Sequence, residues 1–456
     1  MSIRIKLLTP ALLAISLAGC GAFPELDGQP VTAIRAADLR QNQAPVWTLD
    51  FADPGLRAML AQADVGGLDV LTARARARAA DVSLRQTAAG RLPSLGASGG
   101  VSGDVTGSRT PSSTNVGLST SWDADLSGRL EAAIRAAALE KGAVGADLVA
   151  ARRTVAREIV TTWVGLAEAQ SRAARAEDRA RLAERALTLQ SARAAGGETT
   201  TGDISTRTRR LIEARTQAAE AAGQIAVAQA RLRALGATSL PGQVNLRARN
   251  RPAVPAQTDL AGLDNRPDVC AAWARFHAAD ASRAEALRAS RPRVAVSGSL
   301  AAAARTLAGL AAGNALAISQ SVSVEGSVFD GGQSRARVDQ ARIGQAQAEI
   351  TWLQTRARAE VALLEAVVER HGAEAQLAAA LKGYEATAAE RNRVRLRHQG
   401  GISDGLELAD AEGALADAQA EVDTARARAF RAAATWAEAQ GVPGLCPAPV
   451  RPSAAG

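Results

Sequence analysis

Aromatic residues make up only 3% of this sequence, with a single tyrosine. A core without large rings must be built from Ala, Leu and Val, and small side chains let helices pack closely. Lysine is nearly absent, with Lys6, Lys141 and Lys382 the only three, so arginine carries the formal net charge of +8. Those arginines alternate with acidic residues and alanine, as in Arg172-Ala173-Ala174-Arg175-Ala176-Glu177-Asp178-Arg179-Ala180-Arg181. That pattern reads as a solvated helix face and not as a nucleic-acid surface. The three histidines, His277, His371 and His398, stand far apart, and neither they nor the three cysteines show metal-ligand spacing. Gly196-Gly197 lies between helical stretches and follows no strand, so it is not a phosphate cradle. No enzyme site assembles from these residues, and neither a cofactor nor a metal is expected.

Proline is missing from residues 128 to 240 and 332 to 440, two stretches rich in Ala and Arg, each broken near its middle by Gly-Gly. Arg193-Ala194-Ala195-Gly196-Gly197 recurs as Arg397-His398-Gln399-Gly400-Gly401, and Asp203-Ile204 lands on Glu407-Leu408 at the same offset of 204 residues. The chain is therefore a tandem repeat whose unit is about half the protein. Ahead of each helical stretch comes a Pro-led segment, Pro93-Ser94-Leu95-Gly96-Ala97-Ser98-Gly99 and Pro292-Arg293-Val294-Ala295-Val296-Ser297-Gly298. Alternation continues in Val116, Leu118, Thr120, Trp122 and in Ile318, Gln320, Val322, Val324, the period of a strand. Each half thus reads as a helix, two strands, one very long helix, a Gly-Gly turn and a returning helix.

The only long apolar run is Leu7 to Leu17, too short to span a bilayer as a mature helix; it follows Arg4 and Lys6 and ends in Leu17-Ala18-Gly19-Cys20. It looks like a bacterial lipoprotein signal with Cys20 as the lipidated (palmitate-type) N-terminus, the other reading being an ordinary secretory signal that contains a cysteine. Gly21 in place of aspartate implies transfer to the outer membrane. The expected organisation is a signal at 1–19, a tether at 20–46, a first repeat at 47–250, a second at 251–441 and a tail at 442–456. Within the repeats, strand hairpins are expected at 92–125 and 292–329 and helical hairpins at 128–236 and 332–440.

As a helix, Gly128 to Gly196 would reach roughly 100 Å at 1.5 Å per residue. A rod of that length must bury a continuous stripe against neighbours. Each candidate strand has the length that crosses a bilayer at a tilt. Four strands cannot close a barrel, and an open edge in lipid costs several kcal/mol for each unsatisfied backbone group. Three chains would supply twelve strands, enough to enclose a lumen.

These segments resemble the outer-membrane efflux channels of the TolC and OprM type, NodT-like lipoprotein branch. The marks are Trp47 with Phe51-Ala52-Asp53-Pro54-Gly55-Leu56, Arg91-Leu92-Pro93-Ser94-Leu95, Trp122-Asp123-Ala124-Asp125-Leu126-Ser127-Gly128-Arg129, Asn265-Arg266-Pro267-Asp268-Val269 and Val328-Phe329-Asp330-Gly331-Gly332, in order and duplicated. The resemblance implies a mainly α protein with a small membrane β portion: a homotrimer with a twelve-stranded barrel in outer-membrane lipid and a helical barrel in the periplasm. It would dock a periplasmic adaptor and pass what an inner-membrane pump delivers. The competing reading is a periplasm-spanning structural envelope lipoprotein without transport. Departing from the family, the hairpin segments are rich in Gly, Ser and Ala and poor in aromatics, which weakens the lipid-facing signal.

The resemblance also implies site residues. Gly196, Gly197, Thr200, Gly202 and Asp203 in the first hairpin, and Gly400, Gly401, Ser403, Gly405 and Leu406 in the second, would form adaptor-contacting tips, with the glycine pairs as helix C-caps. Arg397, His398, Asp404 and Asp410 would line a periplasmic aperture, His398 standing where a tyrosine is common; they also read as ordinary solvated turn charges. The first-hairpin equivalent of Asp410 is Thr206, so gate chemistry is confined to the second repeat. With Cys20 lipidated, Cys270 and Cys446 are left as an even pair in an oxidising compartment. The fold implied by the resemblance would bring them close, as a disulfide or as two buried free thiols.

Overall fold

The computed structural model describes residues 53–103, 112–195, 200–246, 260–304, 316–403, 405–442 and 444–446. Cys20, the 20–46 tether, Gly196, Gly197, Asp404 and the tail beyond Cys446 lie outside the described residues. The order of elements is α1 (Pro54–Gly66), α2 (Leu68–Ala89), β1 (Ser94–Gly103), β2 (Ser112–Asp123), α3 (Arg129–Ala195) and α4 (Thr201–Ala234) in the first half. A 3-10 turn (Leu260–Asn265), α5 (Pro267–Ala289), β3 (Arg293–Ala304), β4 (Leu316–Glu325), α6 (Gln333–Gln399) and α7 (Gly405–Ala439) follow in the second.

Local chemistry sets the element boundaries. Asp53 caps α1 by accepting from Leu56 N at 2.8 Å, with Pro54 in the first turn. The two long helices, α3 and α6, are 67 residues each, and both start from an aspartate beside left-handed backbone. Asp125 accepts from Leu130 N and Glu131 N, both at 3.0 Å, ahead of α3. Asp330 accepts from Gly332 N at 3.0 Å and Ser334 N at 2.7 Å ahead of α6. Gly128 (φ 70°), Gly331 (φ 63°) and Gly332 (φ 92°) supply conformations that other residues adopt only at a cost.

One expectation needs correcting: the first half does not begin with a single helix. Its helix breaks at Gly67, whose backbone is extended (φ −65°, ψ 129°). A Cβ at Gly67 would meet the Ala63 carbonyl oxygen at 2.7 Å and that of Leu235 at 3.1 Å, and one at Gly236 (φ 101°) would meet Gly67 N at 2.9 Å. Two chain segments cross at Gly67 and Gly236, where only glycine fits.

The chain forms two compact units. One contains Ala77–Val144 and Ala272–Trp352 and holds the sheet. In it Lys141 Nζ meets Asp81 Oδ1 at 2.6 Å, and Phe276 stacks on Trp352 with ring centroids 6.0 Å apart. The other, built on Gly145–Ala271 and the residues from Leu353, is held by a core of Leu56, Met59, Ile159, Val160, Trp163, Val164, Leu232, Phe430 and many alanines. Trp163 and Phe430, both fully buried, are the large rings at its centre, with centroids 6.2 Å apart.

Candidate functional site

The four strands form an antiparallel meander in the order β1-β2-β3-β4, so β1 and β4 each keep an unpaired edge within the chain. Partners across a ladder point to the same face. The register places Leu118 opposite Leu300 and Leu300 opposite Ile318, and Trp122 opposite Val296 and Val296 opposite Val322. Leu95, Val116, Leu316 and Val324 complete this apolar face, on which Ile318 and Val322 are both 70% exposed. Trp122 Nε1 donates to the Arg91 carbonyl at 2.9 Å, anchoring the ring at one end of the sheet.

The opposite face is hydroxyl-lined. Ser94 and Ser121 bond through their hydroxyls at 2.8 Å, and Ser297–Ser321 and Ser299–Ser319 each at 2.7 Å. Ser121 faces Ser297 and Ser119 faces Ser299, so the hydroxyl rows run through the inner strands. Charge enters this face at one end, where Arg293 donates to Glu325 at 3.0 Å and Arg129 pairs with Asp123 at 3.1 Å. The register therefore gathers Ser94, Ser98, Ser119, Ser121, Ser297, Ser299, Ser319, Ser321 and Ser323 on this face, while glycine and alanine divide between the two and the large apolar side chains share theirs with Thr120 and Gln320.

At the second helical tip, Arg397 pairs with Glu407 at 2.8 Å, and Ser403 donates to the same carboxylate at 2.5 Å. His398 Nδ1 lies 2.9 Å from the Ser403 carbonyl and so carries the donating proton. Of the glycine pair only Gly401 is left-handed (φ 72°), while Gly400 N bonds back to Leu396 O at 3.0 Å as a last helical turn. Asp410 is exposed. Arg397 thus spends its charge within its own turn, on a carboxylate not among the expected aperture residues. At the first tip Thr200 and Asp203 form a reciprocal capping box, and Gly202 O accepts the Ser205 and Thr206 hydroxyls. Asp203 and Glu407 are equivalent in the repeat, and each ties its own turn. Gly405 opens α7 and Leu406 follows it.

The third cluster lies where α7 ends. Arg153, buried to 6% exposure, donates to the carbonyls of Gln440, at 2.8 Å, and Ala437, and Arg266 donates to Ala439 O at 3.1 Å. Burial pushes the Arg153 guanidinium down to about 10, with Glu438 opposing, so it is still cationic at neutral pH and complements the helix C-terminus. Val442 N bonds Asn265 O at 2.9 Å, and Cys270 and Cys446 come to 5.7 Å between Cα atoms, inside disulfide range. Gly441 passes so close to the Gly262 carbonyl oxygen that a Cβ would collide with it. Gly441→Ala is expected to cost about 1–3 kcal/mol, read as a lowered melting temperature with unchanged secondary structure.

The model of the outer membrane efflux protein family matches residues 59–237 and 261–442, one segment in each repeat. The cation efflux system protein CusC of Escherichia coli strain K12 is 25% identical over 427 residues, 90% of this chain and 93% of that protein. Among solved structures, the CmeC outer membrane channel of Campylobacter jejuni superimposes with a TM-score of 0.77 at 18% identity, covering 90% of this chain and 91% of its own. The open state of the MtrE outer membrane channel of Neisseria gonorrhoeae gives 0.71 at 23% identity, covering 88% and 93%. With its repeat, its meander and its paired helical hairpins all inside the matched segments, this chain belongs to the outer membrane efflux protein family.

Proposed function

We propose that this protein is the outer-membrane exit duct of a tripartite efflux system. Three copies join their β1 and β4 edges into a twelve-stranded barrel, and the helical hairpins reach into the periplasm toward an adaptor and its inner-membrane pump. The pump supplies the energy, and this chain conducts passively. A lipid on Cys20 supplements the barrel as an anchor. The observation that carries this reading is the two-faced sheet. Its apolar side suits hydrocarbon, its hydroxyl side suits water, and its two free edges are tolerable in lipid only when another copy pairs them. An envelope scaffold has no use for a hydroxyl-lined face.

Cysteine accessibility tests it. In membranes, Ser297→Cys and Ser321→Cys should react with a charged, membrane-impermeant thiol reagent, while Val296→Cys and Val322→Cys should not. Equal labelling of both sets, or the reverse pattern, would leave the sheet without a lumen side.

A further inference from the structure

The apolar face of the sheet is interrupted along one row. Leu95, Thr120, Gly298 and Gln320 stand opposite one another across the four strands, so the Thr120 hydroxyl and the Gln320 amide face the same way as Leu118, Leu300 and Ile318 of the next row. Gly298 puts no side chain between the two polar groups, and the gap over it floors a groove of about 630 Å³. Trp122, Val296 and Val322 wall the groove, and Pro93 lies at its rim. The indole N–H is already given to the Arg91 carbonyl, so the Trp122 ring offers the groove only apolar surface.

An amide turned toward hydrocarbon is costly unless something accepts its hydrogens. Thr120 and Gln320 are both exposed, and among the described residues neither side chain has a hydrogen-bond partner. Depth then narrows what could supply one. Thr120 is three residues short of Asp123, where β2 ends ahead of α3, which at the tilt of a barrel strand sets the row about 8 Å inside that end. Two cations, Arg91 just before Pro93 and Arg291 just before Pro292, are exposed at the same end. From the rim inward the face therefore presents cations, an aromatic ring, hydrogen-bond donors and then aliphatic side chains. A glycerophospholipid has the complementary order: phosphate, glycerol, ester carbonyls and acyl chains.

We propose that this groove binds a glycerophospholipid of the leaflet that meets the periplasm. The proposal rests on the reading of the sheet as a barrel wall in lipid. Gln320 Nε2 and the Thr120 hydroxyl donate to an acyl ester carbonyl, the chain runs over Gly298 onto Leu300 and Ile318, and the phosphate reaches Arg91 and Arg291. Pairing of β4 with β1 of another copy extends the sheet sideways and leaves this face open, so a trimer carries three such sites.

Native mass spectrometry of the full-length trimer in detergent, titrated with dioleoyl phosphatidylglycerol, tests this. Binding should saturate at three lipids, and Gln320→Leu should weaken it about five-fold, as expected for the loss of one hydrogen bond. The dialkyl ether analogue keeps the phosphate and chains but has no carbonyl. It should bind the wild type about five-fold more weakly than the ester lipid, and Gln320→Leu should no longer distinguish the two. Gly298→Leu should fill the groove and abolish saturable binding, whereas Ser321→Ala, on the hydroxyl face, should change nothing. Cys20→Ser should titrate as the wild type does. Equal affinity for ester and ether lipids, or binding unaffected by Gln320→Leu, would overturn the site and leave the barrel standing. Binding that changes with Cys20→Ser would give the groove to the protein's own anchor and overturn the proposal too. If Val322→Cys labels in membranes as readily as Ser321→Cys, the barrel reading fails and the site falls with it.

Discussion

Leu300→Arg is expected to prevent stable membrane insertion, while Ser299→Arg, its immediate neighbour on β3, is expected to leave insertion intact. Leu300 sits between Leu118 and Ile318 on the apolar face, and Ser299 bonds Ser319 on the hydroxyl face. An arginine on the lipid side of a barrel costs about 2–4 kcal/mol near the bilayer midplane, whereas a lumen substitution costs little. Symmetry would repeat that cost in each of three copies. Heat-modifiable migration and recovery in the outer-membrane fraction measure the difference. Equal insertion of both variants would mean that the sheet does not meet lipid on its apolar side.

The second large effect concerns the cysteines. Cys270 opens α5 just after Asn265 and Arg266, and Cys446 lies in the segment that Arg153, Arg266 and Asn265 hold at the end of α7. A bridge between them spans a sequence separation of 176 residues. In the chain-entropy account, closing a loop of that length stabilises the fold by about 5 kcal/mol, an upper figure since measured gains run lower. Cys446→Ser is expected to lower the melting temperature by several degrees and to leave the sheet in place. Mass spectrometry of unreduced peptides checks the premise: a linked 270–446 peptide is expected, and two alkylatable thiols in exported protein would contradict it.

The sequence makes the architecture legible because its signals are periodic. The proline-free stretches 128–240 and 332–440, each divided by a Gly-Gly pair, mark the long helices, and the structure has them at Arg129–Ala195 and Gln333–Gln399. Alternation at Val116, Leu118, Thr120 and Trp122 marks a strand, and the structure has β2 there. What stayed hidden needs partners distant in the chain. Composition counts serine against a lipid-facing strand, and only the register between β2 and β3 shows that the serine rows of both strands share the other face. Arg397 is legible as a tip cation, yet its acceptor, Glu407, shows in the sequence only as the repeat equivalent of Asp203. The α3–α7 pairs join residues as much as 284 apart, as in Arg153 and Ala437, and no local pattern reports such a contact. Gly67 and Gly236 carried a similar long-range message, a crossing of two backbones, that neither glycine conveys alone.

The central claim is that three copies of this chain enclose a water-filled duct lined by the serine face. Planar-bilayer recording of the purified full-length protein tests it most directly. The account predicts discrete conductance steps from trimers. Folded trimers that insert into the bilayer and pass no current at any voltage would contradict it.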